Sequence, residues 1–257
     1  MSMRLPFHVW LAGAVIACLS LAVSFDDYWA MFIARVWCIA VAALGAHVLL
    51  ARVGMLSFGQ ALFFGVGAYA GAFLVKAMDS GNLLLLLPAG FIAGGAAAYL
   101  VALLVFGQRA VPAATLALST MTLGYVAERL VRGWEWTGGQ NGLPGIPQMS
   151  LLGHELQQPW QMLAVAAVVL GLVLVAVTLL ESSSWGSRLS ALGHDEMRLR
   201  FFGVNVARDK QLIFAIAGGL AGLAGSLLAG VEGFVGPSSI GPVFSTTAGA
   251  VRVACRS

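Results

Sequence analysis

The residues of this chain able to do chemistry are four histidines, three cysteines and two lysines, and their spacing assembles no catalytic machinery. His8, His47, His154 and His194 stand apart from one another, with no HExxH and no G-x-S-x-G around them. Cys18, Cys38 and Cys255 form no CxxC pair, and two of them lie inside apolar runs, so they read as small buried hydrophobes rather than as a disulfide framework or a zinc site. Lys76 and Lys210 are followed by Ala77 and Gln211 where a phosphate-binding loop requires Ser or Thr. The expected set is therefore no catalytic, cofactor or metal residue, and any ATP that drives this protein is hydrolysed by another chain. His47, within an apolar run, reads as a hydrogen-bonded packing residue before it reads as a proton relay.

Composition explains why chemistry is so sparse. Hydrophobic residues make up 60% of the 257 and charged residues only 10%, with a mean hydropathy of +0.90. A soluble domain carries about a quarter charged residues, so this is an integral membrane protein. The formal charge of +3 gives no case for nucleic acid, because the basic residues sit between apolar runs, where retention of Lys and Arg on the cytoplasmic side accounts for them.

The apolar runs predict an all-α, polytopic helix bundle of about seven spans. Leu5 to Phe25 exceeds the apolar core of a signal peptide and reads as the first. Ile33 to Leu50 is the second, with Arg52 at its cytoplasmic end. Ser57 to Val75 is the third, where the S-x-x-Q spacing of Ser57 and Gln60 predicts a capping box. Leu83 to Phe106 is followed by Arg109 and by Pro112, which stops one helix and opens the next. Ala113 to Arg132 is less apolar. Its Ser119, Thr120, Thr122 and Tyr125 mark a helix facing protein or water, the candidate lining of a pathway. Residues 132–158 form a polar, Gly- and Pro-rich periplasmic connection. Pro159 to Leu180 and Asp209 to Gly230 complete the set, with Asp209 as N-cap and Gly230 as C-terminal glycine.

With the N-terminus inside, cations divide about eight to four in favour of the cytoplasm, which supports that orientation. Of the outer cations, Arg132 can pair with Glu128 four residues earlier, and Lys76 can snorkel at its helix end. Small residues recur four apart at Gly67 and Gly71, Gly90 and Gly94, Gly218 and Gly222, and Ala221 and Gly225. Close backbone approach drives helix association in lipid, so these read as packing faces of a single multi-helix bundle spanning 1–257.

One polar stretch interrupts the apolar runs, Trp185 to Gln211, reading WGSRLSALGHDEMRLRFFGVNVARDKQ. Its basic residues place it in the cytoplasm, as a docking surface for a separate protein or as a solvated loop held at lipid headgroups. At 100° per residue Leu189, Leu192, Leu199 and Phe202 fall within an arc of about 140°, an apolar face that Gly193 is expected to interrupt.

Three stretches carry a family resemblance: SFGQALFFGVGAYAGAFLV from Ser57, TGGQNGLPGIP from Thr137, and ALGHDEMRLRFFGVNVARDKQLIFAIAGGLAGLAGSLLA from Ala191. Together they resemble the LivM-like permease subunits of branched-chain amino acid ABC importers. The resemblance implies a subunit that works with ABC ATPase subunits, a homologous permease chain and a periplasmic substrate-binding protein, in the bacterial inner membrane. It implies that the loop at 185–210 carries a coupling helix seated on the ATPase, with Arg188, Ala191, Asp195, Glu196 and Gly203 at the positions of interest. Glu196 and Gly203 match the family's EAA-like pattern, while Met197 and Leu199 stand where alanines are frequent.

Past Phe244 the resemblance implies further spans, whereas the sequence runs to AGAVRVACRS; truncation or a frameshift is the expectation, with Gly236, Pro237, Gly241 and Pro242 leaving the end outside or re-entrant. The substrate class rests on the resemblance, and urea or short-amide importers use similar permeases. A secondary transporter would need membrane-buried carboxylates, for which only Glu128 and Glu232 come near, and a non-transporting scaffold is the remaining alternative.

Overall fold

The structure is a computed structural model and describes residues 27–55, 57–106, 113–151, 154–194 and 196–241. Its helices are α1 (Asp27–Val48), α2 (Gln60–Ala77), α3 (Leu83–Val105), α4 (Ala113–Gly133), α5 (Pro159–Ser182), the short α6 (Ser184–His194) and α7 (Glu196–Phe201), and α8 (Val206–Glu232). Five helical stretches are long and apolar enough to cross a membrane: Asp27–Val53, Gln60–Ala77, Leu83–Val105, Pro159–Ser182 and Val206–Glu232. The protein is a polytopic helical membrane protein. The expected span at 5–25 lies outside the described residues. α4 has the length of a span, 21 residues, but does not join the five, because hydroxyls and the charges of Glu128, Arg129 and Arg132 dilute its apolar content.

α8 is the axis of the bundle, flanked by α1, α2 and α3, while α5 rests against α1 and α4 stands at the edge beside α2. Glycines set these distances. A Cβ on Gly94 of α3 would lie 2.6 Å from the Gly218 carbonyl oxygen, and one on Gly222 would lie 2.8 Å from the Gly94 Cα. On the α2 side, Gly67 faces the Gly222 backbone and Gly225 faces the Phe64 carbonyl so closely that neither could hold a side chain. The small-residue spacings are thus helix contacts, and α8 meets α2 and α3 through the same short stretch. With lipid as apolar as the helices themselves, dispersion across these close contacts supplies the association. Around them Phe63 and Phe214 meet edge to face at 5.5 Å, and Phe106 meets Phe214 at 5.7 Å.

The helix ends depart from the sequence expectations in three places. The Ser57–Gln60 capping box does not form: the chain turns at Phe58 and Gly59, and α2 begins at Gln60, so Gln60 occupies the first helical position rather than the third. Ser57 Oγ instead accepts from the Gly59 N–H at 3.2 Å. Asp209 is not the N-cap of α8; Asn205 Oδ1 accepts from the Arg208 N–H at 3.1 Å and opens the helix earlier. Nor does Gly230 end it, for Gly233, at φ 63°, donates its N–H to Ala229 O at 2.9 Å. Gly230 lies inside the helix where Leu86 and Met149 close on it.

At one end of the bundle, Gly142 to Pro147 runs back over α8, and two two-residue strands, Leu143–Pro144 and Phe234–Val235, pair antiparallel. Lys76 Nζ donates to Pro144 O at 3.3 Å, so this cation is tied to the connection. Arg35 Nε stands 3.1 Å from Glu232 Oε1. Glu128 and Arg132 pair on α4 at 2.5 Å, as their spacing predicts. Beyond Val235 the chain makes a 3-10 turn at Pro237–Ser239 and lodges Ile240, buried, against Gly65 of α2. This segment turns back against α2; the expected course of the chain end falls on residues from 242 onward, which lie outside those described.

Candidate functional site

At the opposite end, α1 ends in a π-helical turn, Leu49–Val53, closed by Gly54 at φ 69°. This turn brings Arg52 to Glu181, Nη2 to Oε2 2.8 Å, and His47 Nε2 lies 4.0 Å from the same carboxylate. His47, expected as a hydrogen-bonded packing residue, stands beside this carboxylate with its side chain 46% exposed rather than packed inside. α6 lies across this turn. Gly193 does not interrupt α6 but is part of it, and a Cβ there would stand 2.5 Å from the Arg52 carbonyl oxygen. Its missing side chain is what allows the approach.

Leu189 and Leu192 of α6 are buried, and Leu199 of α7 packs partly against the core. Phe202 does not share their face: Phe202 is 83% exposed and Phe201 is 87% exposed. α7 ends at Phe201, and the turn that follows at Phe202 and Gly203 leaves both rings exposed before α8 begins at Val206. Gly203 has φ 74°, in the left-handed region where a side chain is strained, and nothing lies within 4 Å of where its Cβ would be.

Of the residues expected to meet a partner, two are engaged within the chain. Arg188 Nη2 binds Asp209 Oδ1 at 2.8 Å, and Trp185 Nε1 donates to the same oxygen at 3.3 Å. Glu196 Oε1 pairs with Lys210 Nζ, and Lys210 also lies 6.0 Å over the Phe106 ring. Asp209 and Lys210 are both buried, so these pairs anchor α6 and α7 to the first turn of α8. Ala191 is exposed, and Asp195 lies outside the described residues. The arrangement makes Phe201 and Phe202 the free apolar surface of the loop. Helical periodicity put Phe202 on one apolar face with the three leucines and so did not single it out; the FF pair directly before a turn glycine was the available signal.

Of the four residues expected to line a pathway, Ser119, Thr122 and Tyr125 lie three apart along one side of α4, and Thr120 turns the other way. Thr120 is buried against Gly59, with its hydroxyl donating to Leu116 O at 2.9 Å. Ser119 donates to Leu116 O at 3.0 Å, and Thr122, exposed, donates to Leu118 O at 2.9 Å. All three hydroxyls serve their own helix, as Ser and Thr do when no better acceptor is near. Tyr125 alone borders a cavity, of about 490 Å³, lined by Tyr125, Glu128, Arg129, Arg132, Gly133 and Gln140. One other polar group stands out: Gln60 is buried, and neither atom of its carboxamide has a hydrogen-bond partner among the described residues. Among the described residues no group of three or more His, Cys, Asp or Glu stands close enough to hold a metal ion.

The family described as "branched-chain amino acid transport system / permease component" matches residues 28–253. A curated relative from Escherichia coli (strain K12), "High-affinity branched-chain amino acid transport system permease protein LivM", is 30% identical over 223 residues, covering 77% of this chain and 52% of that protein. The protein of the same name from Salmonella typhimurium (strain LT2) is 29% identical over the same length and coverage. The chain thus spans about half the length of the curated relatives it matches. No solved structure matches. On a match that takes in every described helix, the chain belongs to the branched-chain amino acid transport system permease family.

Proposed function

We propose that the chain is a membrane-spanning permease subunit of an ATP-driven importer for branched-chain amino acids. It works with ABC ATPase subunits that hydrolyse the ATP, a homologous permease subunit and a periplasmic substrate-binding protein, in the bacterial inner membrane. The observation that carries the reading is the polar loop between two spans, folded into α6 and α7 and ended by left-handed Gly203. A chain without its own nucleotide-binding loop needs a surface through which hydrolysis elsewhere can move it. The names of both curated relatives support the substrate class.

In this reading Phe201, Phe202 and Ala191 face the ATPase, while Arg188 and Glu196 act by holding α6 and α7 on α8, with Gly203 as the hinge turn. Exposed aromatic rings beside charges have the make-up of interface anchors. The excess of cations at this end supports a cytoplasmic loop and N-terminus, with 132–158 on the periplasmic side. The test is affinity purification of the chain from its native membrane. An ATPase is expected to co-elute with the wild type and to be lost with the double substitution F201S/F202S; a wild-type chain that elutes without an ATPase overturns the reading.

A further inference from the structure

The cavity on α4 has a composition that neither the loop nor the bundle explains. Tyr125, Glu128, Arg129, Arg132 and Gly133 recur at helical spacings of three and four, so they form one stripe along the helix. That stripe faces Gln140 in the 3-10 turn Gly139–Asn141 across a space of about 490 Å³, within the range of small-molecule sites. The charges in it are unevenly used. Arg132 Nε and Nη2 both donate to Glu128 Oε1, at 3.2 and 2.5 Å, which leaves Glu128 Oε2 outside the pair. Gly241, after the 3-10 turn, backs that oxygen, where a Cβ would lie 2.7 Å from it. Arg129 is exposed and makes no ion pair among the described residues. A simple surface pair of the i, i+4 type accounts for Glu128 and Arg132, but not for a second guanidinium, a phenol and a carboxamide on the same hollow.

We propose that this cleft binds the head group of a free α-amino acid, with the carboxylate on Arg129 and the ammonium on Glu128 Oε2. A guanidinium suits a carboxylate because its planar fork offers two parallel donors, and a carboxylate oxygen with spare lone pairs suits an ammonium. Tyr125 and Gln140 supply further donors and acceptors at the rim. The cleft reads the two charges common to all α-amino acids and excludes neutral amides, which carry neither. The identification of the ligand as transported substrate rests on the importer reading.

The test measures binding of radiolabelled leucine to the full chain in nanodiscs of phosphatidylglycerol, which has no ammonium, together with leucinamide, which lacks the carboxylate, and 4-methylpentanoate, which lacks the ammonium. Leucine is expected to bind saturably. R129Q should weaken leucine by about tenfold or more and leave leucinamide unchanged; E128Q should weaken leucine and leave 4-methylpentanoate unchanged. Because Arg129 is exposed and makes no ion pair among the described residues, R129Q should fold like the wild type, and its melting temperature checks this. Absence of leucine binding, or equal losses for leucine and leucinamide in R129Q, overturns the proposal. Phosphatidylethanolamine retained by the wild type but not by R129Q, without leucine binding, overturns it in favour of a lipid head group. ATPase co-purification is read on the same preparation: leucine binding without an ATPase removes the importer reading alone, and an ATPase without head-group-dependent binding removes the cleft alone.

Discussion

Arg188 on α6 and Asp209 in the first turn of α8 are joined by a 2.8 Å ion pair whose carboxylate is buried and whose guanidinium is 45% exposed. The pair, with Trp185 donating to the same oxygen, is the fastening between the loop and the central helix. Asp209→Asn removes the charge and leaves Arg188 half-matched. The expected result is a loss of about 1–3 kcal/mol, at the lower end because solvent reaches the guanidinium, seen as a lower melting temperature in detergent. It should also weaken ATPase co-purification, although neither residue faces the ATPase. A mutant with unchanged melting and unchanged association would show the fastening to be idle.

Gly222 offers the strictest packing test. A side chain there meets backbone atoms of both Gly90 and Gly94, which cannot rotate away. Gly222→Val should push α3 from α8 and cost about 1–3 kcal/mol or more, read as reduced thermal stability of the purified protein. Gly171 of α5 has open space beside it, so Gly171→Val is the control and should change stability little.

Gly203→Val addresses the turn after α7. With φ 74° and no neighbour within 4 Å, the cost is backbone strain alone, about 1 kcal/mol or more. ATPase association should fall while the melting temperature of the bundle barely moves. Full association and normal ATP hydrolysis in the mutant would take Gly203 out of the coupling loop's function.

Gln60 and Ser57 now carry a different expectation from the one their spacing gives. Ser57→Ala removes one hydrogen bond, to Gly59, and should cost no more than about 1 kcal/mol. Gln60→Leu replaces a buried carboxamide that has no partner among the described residues, and should raise stability by about 1–3 kcal/mol in thermal melts. A fall in stability instead would mean that the carboxamide is satisfied in the native membrane.

Helix existence was legible from hydrophobic length alone, because lipid admits no unpaired backbone and a long apolar run can only be a helix. Packing partners were legible in part: Gly218 and Gly222 announced a close face, but which helix filled it depended on the three-way meeting with Gly94 and Gly67. Helix ends were least legible, since Asn205 and Asp209 are both good caps and only the path of the chain from Gly203 decides between them. The site suffered similarly. Arg188 and Glu196 were placed at a partner surface by the family resemblance, and their intrachain partners, Asp209 and Lys210, sit on the following helix, where no local spacing points to them. Thr120 and Thr122 looked like one polar lining because composition carries no record of which face a hydroxyl takes.

α8 runs unbroken for 27 residues, about 40 Å, between two quite different ends. Its first turn holds the loop through Asp209 and Lys210; its last turn leads through Phe234 and Val235 to the turn whose Gly241 stands beside Glu128 in the cleft. Clasped by glycine contacts near its middle, a helix of this length pivots like a rocker on a fulcrum: a tilt of about 3° at the loop would swing the far end by about 1 Å in the opposite sense. Force on α6 and α7 would thus reach the turn beside Glu128 along one unbroken helix.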